Sequence, residues 1–233
     1  MMKEFHKYGG EFNNTSAEII VPEIIKLVHP KSVLDLGCGV GNWLSVFEKN
    51  GVEKLIGVDG EHARKQFLLD EKFFISTDFE NDENFGSELI EKVNLAVCLE
   101  VVEHLTAKTG DKIVNFLCDK TDVILFSAAI PNQTGENHIN EQHPVYWQEL
   151  FAKRGFIFYD IFREKYWNNS EIMWWYKQNM FLVAKEGTFS GTNFPIFQGD
   201  LRIHPEMLQM HLHEIAELKR KKGLKSKIKK YLK

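Results

Sequence analysis

Apolar positions in this chain fall into short dense runs, separated by stretches where they recur at helical spacing. That alternation is the pattern of an α/β domain. The runs predict strands beginning at 32, at 54–58, 73–76, 93–99, 122–127, 156–162 and about 179–184. The run Val-Asn-Leu-Ala-Val-Cys-Leu at 93–99 is nearly all apolar, as expected of a central strand buried on both faces. Between the runs, helical spacing predicts a helix over 15–28, with Ala17, Ile20, Ile24 and Val28 on one face and Pro30 ending it. Further helices are expected from Asn42, over about 61–69, over 108–119, and over 144–154 with Pro144 in its first turn and Gly155 closing it. A tail helix is expected from Pro205, with Met207, Met210, His211, Ile215 and Leu218 on one stripe.

The segment Ser-Val-Leu-Asp-Leu-Gly-Cys-Gly-Val-Gly-Asn-Trp at 32–43 reads as strand, tight loop and helix, the opening of a βαβ unit. Glycine tolerates φ > 0 and lets a ligand approach the backbone, and the helix that follows presents unpaired N–H groups. A dinucleotide fingerprint would need a third glycine at position 42, which is Asn42. Asp35, just before the first glycine, is placed to meet a cationic amine, which suits an amino-acid-bearing nucleoside better than a pyrophosphate. On these residues the chain resembles the class I S-adenosylmethionine-dependent methyltransferases. The resemblance implies one doubly wound, Rossmann-like sheet of about seven strands, the last antiparallel, with helices on both faces.

Length and composition bound the rest. The chain has 233 residues, 43% of them apolar, enough for one substantial core. No apolar run reaches the length of a membrane span, and the first residues lack an apolar signal core. Three widely spaced cysteines, Cys38, Cys98 and Cys118, argue for reduced thiols in a cytoplasm. The nine Lys and Arg from Lys219 onward, with no acid among them, leave −13 on the remainder of a chain whose net charge is −4. So acidic a body is ill-suited to nucleic-acid phosphates. The basic end is a solvated extension, a partner helix or a weak contact for anionic lipid. The chain is expected to divide into a methyltransferase domain over 1–185, a wrapping loop over 186–204 and a basic helical tail over 205–233.

The resemblance assigns roles by position. Asp35, Gly37, Cys38 and Gly39 would hold the amino-acid end of S-adenosylmethionine, with Cys38 a small filler. Asp59 and Gly60, about 20 residues on, would take the ribose, whose two hydroxyls a carboxylate can accept together. Asp78 and Phe79 would take the adenine. Leu99 and Glu100 would close the site at the end of the fourth strand. Tyr8 and Phe12 would fold over the cofactor.

Acceptor chemistry is expected at Glu100, Glu103 and His104 and in the long loop over 128–143. If the acceptor is a hydroxyl, His104, His138 and His143 are candidate bases. If it is an oxygen already ionised, positive groups suffice. The order Glu-x-x-Glu-His with a later His also resembles the metal set of small-RNA 3′-end ribose methyltransferases. That makes Glu100, Glu103, His104 and His138 candidate ligands for Mg²⁺, Mn²⁺ or Zn²⁺. Trp167, Trp174 and Trp175 are either an acceptor wall or core, with Tyr176 and Gln178 as candidate polar groups of the pocket. The strings around His143 and Trp174 resemble bacterial methyltransferases of surface-polysaccharide and capsule biosynthesis. They imply O-methylation of a small molecule, at a sugar hydroxyl or a phosphate- or phosphoramidate-type oxygen. The alternatives are an RNA ribose 2′-O-methyltransferase and a non-catalytic cofactor-binding partner.

Overall fold

The computed structural model describes residues 14–231, with side chains described as far as 221. Tyr8, Phe12 and their expected place over the cofactor lie outside the described residues. One sheet contains β1 (Ser32–Leu36), β2 (Lys54–Asp59), β3 (Phe74–Ser76), β4 (Leu95–Leu99), β5 (Val123–Ser127), β6 (Phe156–Tyr159) and β7 (Phe181–Lys185). Their order is β3-β2-β1-β4-β5-β7-β6, and only β7 runs antiparallel to its neighbours. The helices are α1 (Thr15–Val28), α2 (Asn42–Lys49), α3 (Glu61–Arg64), α4 (Ala107–Lys120), α5 (Pro144–Ala152), α6 (Arg163–Tyr166), α7 (Trp174–Asn179) and α8 (Pro205–Tyr231). This is the expected α/β sheet.

Every residue of β1, β4 and β5 is buried, which is why these strands read as unbroken apolar runs. Successive residues point to opposite faces. Val33, Leu95, Val97 and Leu125 pack with Ile20 and Ile24 of α1 and Leu44 and Phe47 of α2. Leu34, Leu36, Ala96, Cys98, Ile124 and Phe126 pack with Ile113 and Leu117 of α4 and Trp147 and Phe151 of α5. The chain reverses its direction of travel across the sheet between β1 and β4, both parallel. Ligands of such sheets bind outside the strand C-termini at that switch point.

Some boundaries differ from the sequence expectation for identifiable reasons. The helix expected to reach 69 ends at Arg64. The chain then folds back, with Leu68 N–H donating to Val40 O at 2.9 Å. β6 stops at Tyr159 because Asp160 turns away, its N–H donating to Pro195 O. Ile196 bridges Tyr159, so the 186–204 segment covers the outer edge of β6. In α8 only Met207 of the expected apolar stripe is buried, while Met210, Ile215 and Leu218 are exposed. No helix among the described residues is long and apolar enough to cross a membrane.

Candidate functional site

The loop after β1 has little freedom. Gly37, Gly39 and Gly41 have φ of +80°, +53° and +87°, in the region that costs an L side chain about 1–2 kcal/mol. A Cβ on Gly37 would stand 2.3 Å from Val101 Cγ2, and one on Gly41 would stand 2.7 Å from Phe67 Cε2. Phe67 and Leu69, which follow the foldback after α3, therefore roof this loop. The sequence held no sign of it, because the contact depends on the early end of α3.

Asp35 is buried on the α1/α2 side of β1, and its Oδ2 has no hydrogen-bond partner. Burial, reinforced by nearby Asp59, pushes its carboxyl up to about 8. Asp59 is tied to the glycine loop: Gly39 N–H donates to Oδ2 at 2.7 Å and Gly60 N–H to Oδ1 at 2.6 Å. Burial and the neighbouring Asp35 push the Cys38 thiol well up, consistent with a filler and not a nucleophile. Asp78 is exposed and caps its own turn, accepting from Glu80 N–H, Asn81 N–H and Asn81 Nδ2; the Asn81 bond leads in holding its carboxyl low. Phe79 leans 5.8 Å from Phe85.

Past the switch point the polar groups interlock. Leu99 is buried at the end of β4. Glu100 adopts φ +54°, and its carboxylate accepts from Gln133 Nε2 at 2.9 Å and Asn179 Nδ2 at 3.2 Å. Gln178 donates to Gln133 Oε1 and accepts from His204 N–H at 2.7 Å. Gln178, expected as a polar group of the pocket, is instead a buried link that joins the C-terminal segment through Gln133 to Glu100. Burial raises the Glu100 carboxyl against the hydrogen bonds from Asn179 and Gln133. Glu103 is wholly buried, accepts from Ala129 N–H at 3.2 Å, and has no partner at Oε2. Burial first, then neighbouring Glu100, pushes its carboxyl well up.

One ligand atom from each of Glu103, His104 and His138 lies within 4.8 Å of the others. The His104 and His138 rings meet edge to face at 4.8 Å. Glu100 is not in this group; its carboxylate accepts from Gln133 and Asn179. His143 is also apart from it, exposed at the N-cap of α5.

The loop carrying His138 is organised by Glu141, which no motif had singled out. Glu141 Oε2 accepts from Asn132 N–H at 2.7 Å, and Oε1 accepts from Thr134 N–H at 2.7 Å and meets His138 Nδ1 at 2.9 Å. On the outer side, His211 Nε2 of α8 lies 2.8 Å from Asn132 O. Thr134, Gly135, His138, Ile139 and Glu141 line a cleft of about 410 Å³. Trp167, Trp174, Trp175 and Tyr176 are half-buried, between the core and wall alternatives. Tyr176 accepts from Trp43 Nε1 at 3.4 Å, and burial pushes its hydroxyl up to about 12.

Residues 17–126 match the model of a methyltransferase-domain family. No curated protein matches the chain in sequence. Among solved structures, the methyltransferase domain of bacterial CtHen1 superposes with a TM-score of 0.52 at 18% identity, over 74% of this chain and 98% of that one. Magnesium protoporphyrin IX methyltransferase of Synechocystis PCC 6803 superposes with a TM-score of 0.51 at 14% identity, over 76% and 86%. A Nostoc punctiforme PCC 73102 protein, described provisionally as an O-methyltransferase, gives 0.50 at 10% identity over 72% of this chain. The chain spans 55% of the length of that Nostoc protein. At such identities the superpositions establish the fold. Residues 17–126 thus match a methyltransferase-domain family, and the sheet that carries them has the fold of these solved methyltransferases.

Proposed function

We propose that this protein moves a methyl group from S-adenosylmethionine to an oxygen of a small-molecule acceptor. The acceptor oxygen is a sugar hydroxyl or a phosphate- or phosphoramidate-type oxygen of surface-polysaccharide or capsule assembly. One observation carries the reading. Asp35 sits buried beside the glycine loop with an unpartnered oxygen and a carboxyl raised to about 8. A buried acid in that state is stabilised by a cation brought to it, and the cofactor's amino-acid end carries an ammonium.

When bound, the cofactor supplies a methyl group activated on a sulfonium. The chain's own residues do the rest. Asp35, with Gly37, Cys38 and Gly39, holds the amino-acid end. Asp59 and Gly60 take the ribose, whose two hydroxyls one carboxylate can accept together. Asp78, Phe79 and Leu99 border the adenine. For a hydroxyl acceptor, a neutral imidazole of His138 or His104 takes the hydroxyl proton as the oxygen bonds carbon; exposed His143 is set aside. The free thiols support a cytoplasmic setting.

A metal-assisted version is favoured by the grouping of Glu103, His104 and His138 and by the orphaned Glu103 Oε2. One carboxylate and two imidazoles fit Zn²⁺ or Mn²⁺ better than oxygen-preferring Mg²⁺, and such an ion would supply positive charge for an anionic acceptor. The lining of the cleft includes no Lys or Arg to do so.

The test is a screen of surface-sugar and phosphorylated precursors, read by S-adenosylhomocysteine formation. It is run with and without exhaustive chelation. Turnover on a surface-sugar hydroxyl supports the first version. Turnover on a phosphorylated precursor that chelation abolishes supports the second. No turnover on any precursor, with the cofactor bound normally, would leave a non-catalytic binding partner and defeat the proposal.

A further inference from the structure

We propose that Glu141 is a positioning residue for His138, fixing its imidazole with the proton on Nδ1 and the lone pair on Nε2. The inference rests on the proposed place of His138 in acceptor chemistry, but its first test does not need turnover.

The geometry is convergent. Within the six residues from Asn132 to Asn137, three non-glycine residues, Asn132, Thr134 and Asn137, have φ of +67°, +59° and +60°. Such backbone persists only where its surroundings over-determine it. Glu141 does this from three residues beyond His138, accepting the N–H of Asn132 and of Thr134 at 2.7 Å each. Oε1 then meets His138 Nδ1 at 2.9 Å. A carboxylate accepts and does not donate, so Nδ1 carries the hydrogen and Nε2 keeps its lone pair. Gly135 completes the arrangement, because a Cβ there would stand 2.2 Å from Nε2. Only glycine leaves that nitrogen room in the wall of the cleft. Glu141 and His138 keep 18% and 11% of their side-chain surface exposed, so the pair is sheltered but not sealed. Backbone conformation, imidazole tautomer and cleft wall are thus set through one carboxylate, as outer partners set the tautomer of functional imidazoles elsewhere.

The experiment is ¹⁵N NMR of imidazole-labelled protein without ligand, at a pH where the ring is neutral, on wild type and Glu141→Gln. The expected wild-type signal is His138 with Nδ1 protonated. In the Gln variant, whose amide can also donate, the Nε2-protonated form should appear. Turnover should fall at least tenfold with KM for S-adenosylmethionine unchanged. An Nε2-protonated His138 in wild type overturns the proposal, and this arm holds even if the variant fails to fold. An unchanged tautomer in a folded variant overturns it as well. A shifted tautomer with full turnover upholds the positioning role and removes His138 from the acceptor chemistry. That outcome separates failure of the two readings.

Discussion

The loops after β1 and β2 and those after β4 and β5 stand side by side at one edge of the sheet, yet their polar groups are satisfied in opposite ways. On the cofactor side, partners are mostly near in sequence or backbone. Asp59 holds Gly39 and Gly60, and Asp78 holds its own turn. Asp35 is left there with a bare oxygen, as Glu103 is on the other side. On the acceptor side, side chains far apart in sequence clasp each other: Glu100 with Gln133 and Asn179, and Gln178 with Gln133. The first arrangement suits a ligand of fixed shape with one cation to place. The second can be altered residue by residue without disturbing the first, so acceptor choice and cofactor binding should separate under mutation.

The largest effect is expected at Asp35. Its pKa rises from 3.8 for the free side chain to about 8 in the fold. Between those values the folded chain keeps a proton that the unfolded chain has lost. Raising the pH therefore destabilises the ligand-free fold, by at most about 1.4 kcal/mol per unit. The cost is absent below pH ~4 and complete above pH ~8. Asp35→Asn should remove this slope and become more stable than wild type by up to ~5 kcal/mol at pH 8, measured by urea unfolding. The same variant should bind S-adenosylmethionine about 1.5–3 kcal/mol more weakly, the range for a hydrogen bond to a charged group. Calorimetry at pH 7 in buffers of different ionisation enthalpy should show proton release by wild type on binding. No proton release would remove the ammonium from Asp35.

On the other side, His138→Ala should lower turnover by about 10²–10⁴-fold, the usual span for a lost general acid or base. Cofactor affinity should stay within about twofold, since the acceptor-side groups do not support the glycine loop. Weak cofactor binding with normal turnover at saturation would reverse the assignment of the two halves.

Gly37→Ala probes the seam. The residue belongs to the cofactor loop, but its missing Cβ is filled by Val101, which follows Glu100. Positive φ and the close approach together should cost about 2–4 kcal/mol in stability. Cofactor affinity and turnover should fall together. Full cofactor affinity in the variant would show that the two halves do not meet there.

The same contrast explains what could be read from the sequence. Fully buried strands leave continuous apolar runs, so the strands and the longer helices were legible, whereas α6 and α7 in the connection between β6 and β7 were not. The glycine loop was legible because its meaning is local: an acid and three glycines at fixed offsets. Gln133, Asn179 and Glu141 were not, since each matters through a partner that only the folded chain brings to it. The amide of Asn179 reaches Glu100 across 79 positions. Phe67 was hidden because helical spacing continued on paper to Leu69, whereas the structure ends α3 at Arg64. Glu100 read as a metal ligand by motif, whereas its hydrogen bonds to two amides were not legible.

The smallest effect is expected from the basic end. His211 ties the start of α8 to the acceptor loop through Asn132 O, whereas Leu212, Ile215 and Leu218 farther along are exposed. Deleting residues 219–233 leaves that tie in place and removes nine positive charges. If the acceptor is a small molecule, turnover and cofactor affinity should stay within about twofold of wild type, because exposed charges are screened beyond about 8 Å at physiological salt. If the acceptor were RNA, those charges would carry the phosphate contacts. The loss should then be large at moderate salt and the residual binding nearly salt-independent. Measuring turnover of full-length and shortened protein at two ionic strengths therefore decides whether the tail belongs to the acceptor half at all.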